Sequence, residues 1–141
     1  MPVIDASVVV DWIAPGSDPA SPAARALTRL ARSDAELLGP RLLTEEVTNA
    51  LLTGIRRRRW TGAAADAAFL MLRDLPVRLM DEPRDLERAW ELSRRYDNHP
   101  LYDMLYVALA ERMQTKLVTA DRRLLTRLIA TDLLIGPEQV A

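Results

Sequence analysis

Five apolar runs, each too short to be a helix, punctuate this chain: MPVID at its start, then ELLGP (36–40), PVRLMD (76–81), KLVTAD (116–121) and DLLI (132–135). Between them lie segments with helical length and spacing. SVVVDWI leads into the Pro/Gly/Ser break APGSDPASP, and then come AARALTRLAR, LLTEEVTNALLTGIRRRR, GAAADAAFLMLRDL, RDLERAWELSRRY, LYDMLYVALAERM and RRLLTRLIA. Short strands alternating with helices predict an α/β fold, a central parallel sheet of four to five short strands with helical layers on both faces. With 141 residues, 49% of them hydrophobic, the chain has enough material for one core, and residues 1–141 read as one domain.

In such a sheet, sites form outside the carboxyl ends of the strands. Asp5 closes the first strand and Asp121 closes KLVTAD, so both are predicted along one edge. Each has a second explanation, since an Asp between strand and helix is a common N-cap. Two more acids are sorted by helical rotation. In LLTEEVTNALLTG the apolar stripe is Leu43, Val47, Ala50, Leu51 and Gly54; Glu46 flanks it, whereas Glu45 points to solvent. Asn49 lies on the Glu46 side, where it can orient that acid or simply be solvated. Asp103 precedes Tyr106, Val107 and Ala110 on one helical face. A carboxylate in apolar surroundings must be paired, hydrogen-bonded or metal-bound; it can also serve the helix macrodipole from the first turn.

If Asp5, Glu46, Asp103 and Asp121 converge, their mutual repulsion demands a hard divalent cation, and all-oxygen ligands describe Mg²⁺ or Mn²⁺. Zinc is disfavoured because the chain has no Cys and one His, His99, which in DNHPL reads as a loop residue rather than a base. The absence of Cys suits a reducing compartment, no stretch approaches a membrane span, and MPVIDAS does not resemble a signal peptide, so a soluble cytoplasmic protein without membrane contact is expected.

VIDASVVV, TEEVTNALL, LYDMLYVALA and LVTADRRLL resemble, in order, the four motifs of the PIN-domain ribonucleases, particularly the VapC-type toxins of bacterial toxin–antitoxin systems. The resemblance runs from Asp5 to about Leu125 and departs at none of the four acids; Met104 stands where the family often has Ala. It implies the PIN fold and metal-dependent hydrolysis of RNA. Asp5, Glu46, Asp103 and Asp121 would be the catalytic and metal-binding acids, with Ser7, Asn49 and Thr119 supporting them. It also implies a cognate antitoxin and a homodimer. A housekeeping RNA-processing nuclease and a non-catalytic scaffold of the same fold are the alternatives. A receiver-type signalling domain fits less well, because Lys116 precedes its strand rather than following it.

RNA binding needs positive charge, yet nineteen basic residues face twenty acidic ones, a net charge of −1, so any basic surface must be local. Arg56, Arg57, Arg58 and Arg59, followed by Trp60, form the densest run; they could grip RNA and stack a base, or complement a helix C-terminus. Arg122 and Arg123, with Arg127 beyond them, begin beside Asp121 and are better placed to meet a phosphate. The helical pair spanning 42 to 75, with GAAADAAFLML, offers an apolar face for a partner or for the core.

Overall fold

A computed structural model describes residues 1–140. Its five strands are β1 (Val3–Ile4), β2 (Leu37–Pro40), β3 (Val77–Met80), β4 (Leu117–Val118) and β5 (Leu134–Ile135), joined in the order β3-β2-β1-β4-β5 with every pairing parallel. Seven helices flank the sheet: α1 (Ala6–Ile13), α2 (Pro22–Arg32), α3 (Leu43–Arg56), α4 (Gly62–Leu72), α5 (Arg84–Arg95), α6 (Leu101–Arg112) and α7 (Arg122–Arg127). This is the three-layer α/β/α arrangement that the alternating pattern predicts.

The three central strands are buried along their whole length, as their unbroken apolar runs require, while β3 and β5 at the edges are half-exposed. One strand and one helix are shorter than their apolar runs suggest. KLVTAD is strand only at Leu117 and Val118; the Thr119 amide still donates to the Ile135 carbonyl (3.0 Å), and Ala120 and Asp121 form the turn into α7. RRLLTRLIA is helical to Arg127 and then tightens into a 3₁₀ turn at Ile129–Thr131, which ends on left-handed Asp132.

α6 is apolar nearly all round, with Met104 and Tyr106 to Ala110 buried, and it packs on α5 and on β1, β2 and β4. A helix so enclosed must be apolar on every side. Met104 is fully buried within the core. α3 and α4 form a satellite cluster in which Leu51 meets Ala65 and Ala68, with Trp60 tucked beside them. The Trp60 ring occupies the space a Cβ on Gly54 would fill, about 2.0 Å from that position, and its Nε1 donates to the Leu51 carbonyl at 3.0 Å. Trp60 is therefore a structural plug under α3 and not a free platform for a base. Of the small residues of α4 only Ala65 and Ala68 face this cluster; Gly62, Ala63 and Ala67 are exposed, as are Phe69, Leu70 and Met71 with Leu52 of α3.

Candidate active site

The chain order places successive strands β2 and β3 on one side of β1, and β4 and β5 on the other. Beyond the carboxyl ends of β1 and β4, where the order reverses, the connecting loops diverge and open a crevice. Asp5 leaves β1 there, with its amide still bonded to the Val118 carbonyl (2.9 Å). Asp121 follows β4, Glu46 comes from the first turn of α3, and Asp103 from the first turn of α6.

Asp5 occupies the N-cap position of α1 but makes no side-chain cap bond. Its Oδ2 instead accepts from Ser7 Oγ (2.6 Å) and Thr119 Oγ1 (2.8 Å). These two hydroxyls stitch the loops together: Ser7 Oγ accepts from the Ala120 amide (3.0 Å), and Thr119 Oγ1 accepts from the Asp121 amide (3.1 Å). Asp5 is only 6% exposed and Thr119 is wholly buried. Burial pushes the Asp5 carboxyl above its ordinary value; the Ser7 and Thr119 hydrogen bonds oppose this, while Asp103 and Asp121 add to the rise by repulsion.

Glu46 is half-buried and Glu45 is exposed, as helical rotation predicts. Burial again raises the Glu46 carboxyl, and the charges of Asp5 and Asp103 reinforce the rise. The Tyr106 hydroxyl lies beside Glu46 and lowers it, but the two do not complete a hydrogen bond of ordinary geometry. Glu46 Oε1 and Tyr106 Oη are both buried without a partner among the described residues. An orphaned carboxylate oxygen in a desolvated site is costly, and a cation is one way to satisfy it. The mutual repulsion shows that Asp5, Glu46, Asp103 and Asp121 share one electrostatic neighbourhood.

Asp121 is the N-cap of α7, its Oδ1 accepting from the Arg123 and Leu124 amides (3.0 and 3.2 Å). Its Oδ2 makes no hydrogen bond among the described residues. Asp103 is partly exposed, and its Oδ2 lies 2.6 Å from His99 Nε2. His99, expected only to lie in a loop, thus brings its ring into the site; the signal in the sequence was its spacing of four residues from Asp103. Its Nδ1 faces Arg127 Nη1 at 2.9 Å.

The donors are all oxygens, which suits Mg²⁺ or Mn²⁺. Among the described residues, no group of three or more His, Cys, Asp or Glu side chains is arranged as a ready-made metal-binding set. A groove beside the acids is lined by His99, Asp103, Asp121, Arg122, Arg123 and Arg127. Arg122 and Arg123 are exposed there and have no acidic partner within 4 Å among the described residues. Arg56 and Arg57 lie elsewhere: they end α3, about 16 Å along its axis from Glu46 at 1.5 Å per residue. Arg56 donates to Thr53 there. Asn49 is exposed, and no side-chain hydrogen bond ties it to Glu46 among the described residues.

The PIN domain model matches residues 3–128. Ribonuclease VapC3 of Mycobacterium tuberculosis is 43% identical over 122 residues, 86% of this chain and 83% of that protein. Ribonuclease VapC1 of the same organism is 36% identical over 123 residues, 86% of each chain. A chain from a toxin–antitoxin complex of Klebsiella pneumoniae shares the fold, with a TM-score of 0.64, 14% identity, and 97% of this chain and 98% of that one covered. With the whole crevice inside the matched segment, this chain belongs to the PIN-domain family, among relatives named VapC ribonucleases.

Proposed function

We propose that this chain is an endoribonuclease that hydrolyses RNA phosphodiester bonds with Mg²⁺ or Mn²⁺, acting as the toxin of a toxin–antitoxin pair. The observation that carries the reading is the carboxylate set at the crevice, in which Asp5 is desolvated and held by two hydroxyls while Glu46 keeps an orphaned oxygen. The relatives, themselves named ribonucleases, support the same chemistry.

Asp5 and Asp103 are assigned as the main direct ligands, with Glu46 and Asp121 holding the ion directly or through water. A cation held by these acids would supply Lewis-acid polarisation of the scissile phosphate and offset charge on the leaving oxygen. The protein does the rest. Ser7 and Thr119 fix the Asp5 carboxylate in one orientation. Any of the four acids that is not spent on the ion could accept the proton of an attacking water. Attack by water forms the new P–O bond and breaks the P–O3′ bond; the departing O3′ takes a proton from solvent, leaving 5′-phosphate and 3′-hydroxyl ends. Arg122 and Arg123 meet the backbone phosphates on the α7 side of the groove. The RNA 2′-hydroxyl is not needed as a nucleophile, so preference for RNA must come from binding.

An antitoxin that occludes the crevice completes the system. The exposed apolar strip of Leu52, Phe69, Leu70 and Met71 offers a surface for that protein or for a second copy of the chain. Incubating purified chain with total cellular RNA in Mg²⁺ or Mn²⁺ tests the chemistry, with EDTA and Asp103→Asn as parallel controls. Discrete fragments that vanish in both controls are expected; cleavage that persists in EDTA would sink the metal-dependent reading.

A further inference from the structure

We infer that His99 is a positioning residue for Asp103 and that Arg127 sets the form in which His99 acts. The inference rests on the metal-site reading given above. Three atoms in sequence carry it: Arg127 Nη1 lies 2.9 Å from His99 Nδ1, and His99 Nε2 lies 2.6 Å from Asp103 Oδ2. A guanidinium can only donate. Nδ1 must therefore present its lone pair to Arg127, which leaves the ring proton on Nε2, where it points at Asp103. The tautomer is dictated by a residue from a different helix.

The consequence for Asp103 is geometric. One lone pair of Oδ2 is committed to the imidazole, which fixes the carboxylate plane and leaves Oδ1 for a cation or its water. Partners of this kind behind a ligand orient it and raise its affinity. The surrounding loop is built to hold the ring. His99 is mostly shielded, its side chain 10% exposed, and its amide is tied back to the Ser93 and Tyr96 carbonyls. Asp97 and Asn98 just before it both take positive φ, 59° and 57°, a conformation that costs energy in non-glycine residues although Asp and Asn bear it best. Arg94 donates to Asn98 Oδ1 at 2.7 Å, and Arg127 also reaches the Tyr96 carbonyl (3.3 Å). Because α7 carries Asp121 at its N-cap and Arg127 at its end, this one short helix contributes one site acid and orients another.

The test is Mn²⁺ affinity, measured by calorimetry on the whole chain for wild type, Asp103→Asn, His99→Ala, His99→Asn, His99→Gln and Arg127→Met. Gln places an amide N–H where His places Nε2, whereas Asn mimics Nδ1 and cannot reach Asp103. His99→Ala and His99→Asn are expected to lose about 10- to 100-fold in affinity, His99→Gln to stay near wild type, and Arg127→Met to fall in the same direction by less. Asn can keep the Arg127 contact and Gln the Asp103 contact, so a role confined to holding the loop through Arg127 would favour Asn, whereas positioning of Asp103 favours Gln. Equal Mn²⁺ affinity in wild type and His99→Asn, or equal losses in Asn and Gln, would overturn the positioning role alone. Absence of Mn²⁺ binding by wild type would overturn the metal-site reading and this inference with it.

Discussion

Asp5 and Asp121 stand in the same local context, each following a buried parallel strand and preceding a helix. Their environments nevertheless part. Asp121 spends Oδ1 on two backbone amides and remains partly exposed, so its place is explained by helix capping even without chemistry. Asp5 declines the cap, sinks almost out of solvent, and takes hydroxyl donors from the first turn of α1 and from the end of the neighbouring strand β4. A buried carboxylate that forgoes the bond its backbone position offers is held for some other purpose. Local sequence grammar alone would have made the two residues equivalent; the tertiary hydroxyls separate them.

The largest expected effect breaks the comparison at Asp5. Asp5→Asn keeps an oxygen for Ser7 and Thr119 but removes the charge, and it should lower ribonuclease turnover by about 10³-fold, several kcal/mol of transition-state stabilisation. Without metal, the same variant should be as stable as wild type or more so. Burial and neighbouring acids raise Asp5 and Glu46 in the folded protein, so the native state keeps protons that the unfolded chain has lost. Metal-free stability therefore falls as pH climbs from the ordinary carboxylate range, about 4, through the raised folded values. Asp5→Asn flattens that fall. Urea denaturation in EDTA across this range measures it, and a wild-type midpoint that rises with pH over the same window would contradict the assignment. Metal at about 100 times its dissociation constant should restore about 2.7 kcal/mol to wild type.

Much of this contrast was readable in advance. Strand–helix alternation exposed the three-layer sheet, and rotation about α3 separated half-buried Glu46 from exposed Glu45. The candidate acids at Asp5 and Asp121 followed from one rule about strand ends. What escaped the sequence depended on distant partners. Trp60 could be taken for a base platform because only the folded α3 shows its ring beneath Gly54. His99 looked like a plain loop residue because Arg127, its partner 28 positions away, reaches it only once α7 packs back over the loop. The Thr119 hydroxyl at the end of KLVTAD reaches Asp5 at the end of β1, a contact set by the sheet order and invisible within the segment.

Asp121 sharpens the comparison with a smaller effect, because two substitutions divide its roles. Asp121→Ala loses the cap as well as the charge and should cost about 1 kcal/mol of stability. Asp121→Asn preserves a good cap and should leave stability almost unchanged, while turnover falls in both. Thermal melting beside turnover distinguishes them. Equal stability in the Ala and Asn variants would mean that the Oδ1 bonds contribute nothing, and full turnover in Asn would reduce Asp121 to a cap.

The smallest effect concerns the arginines, where position again separates residues of one type. Arg122 and Arg123 begin the helix that Asp121 caps and have no acidic partner within 4 Å among the described residues; Arg56 and Arg57 end α3 about 16 Å from Glu46 along its axis. Each phosphate contact on single-stranded RNA contributes about 0.7 to the slope of log affinity against log salt. Arg122→Ala and Arg123→Ala, read in the Asp103→Asn background, in which cleavage is expected to be abolished, should each flatten the slope by about that amount. Arg56→Ala and Arg57→Ala should leave it unchanged. If the α3 pair carries the larger salt dependence, the RNA path runs along α3 towards Trp60, and the groove on the α7 side is not where the backbone lies. Loss of slope at both places would instead describe one strand long enough to cross the face between them, with the four acids near one end of its path.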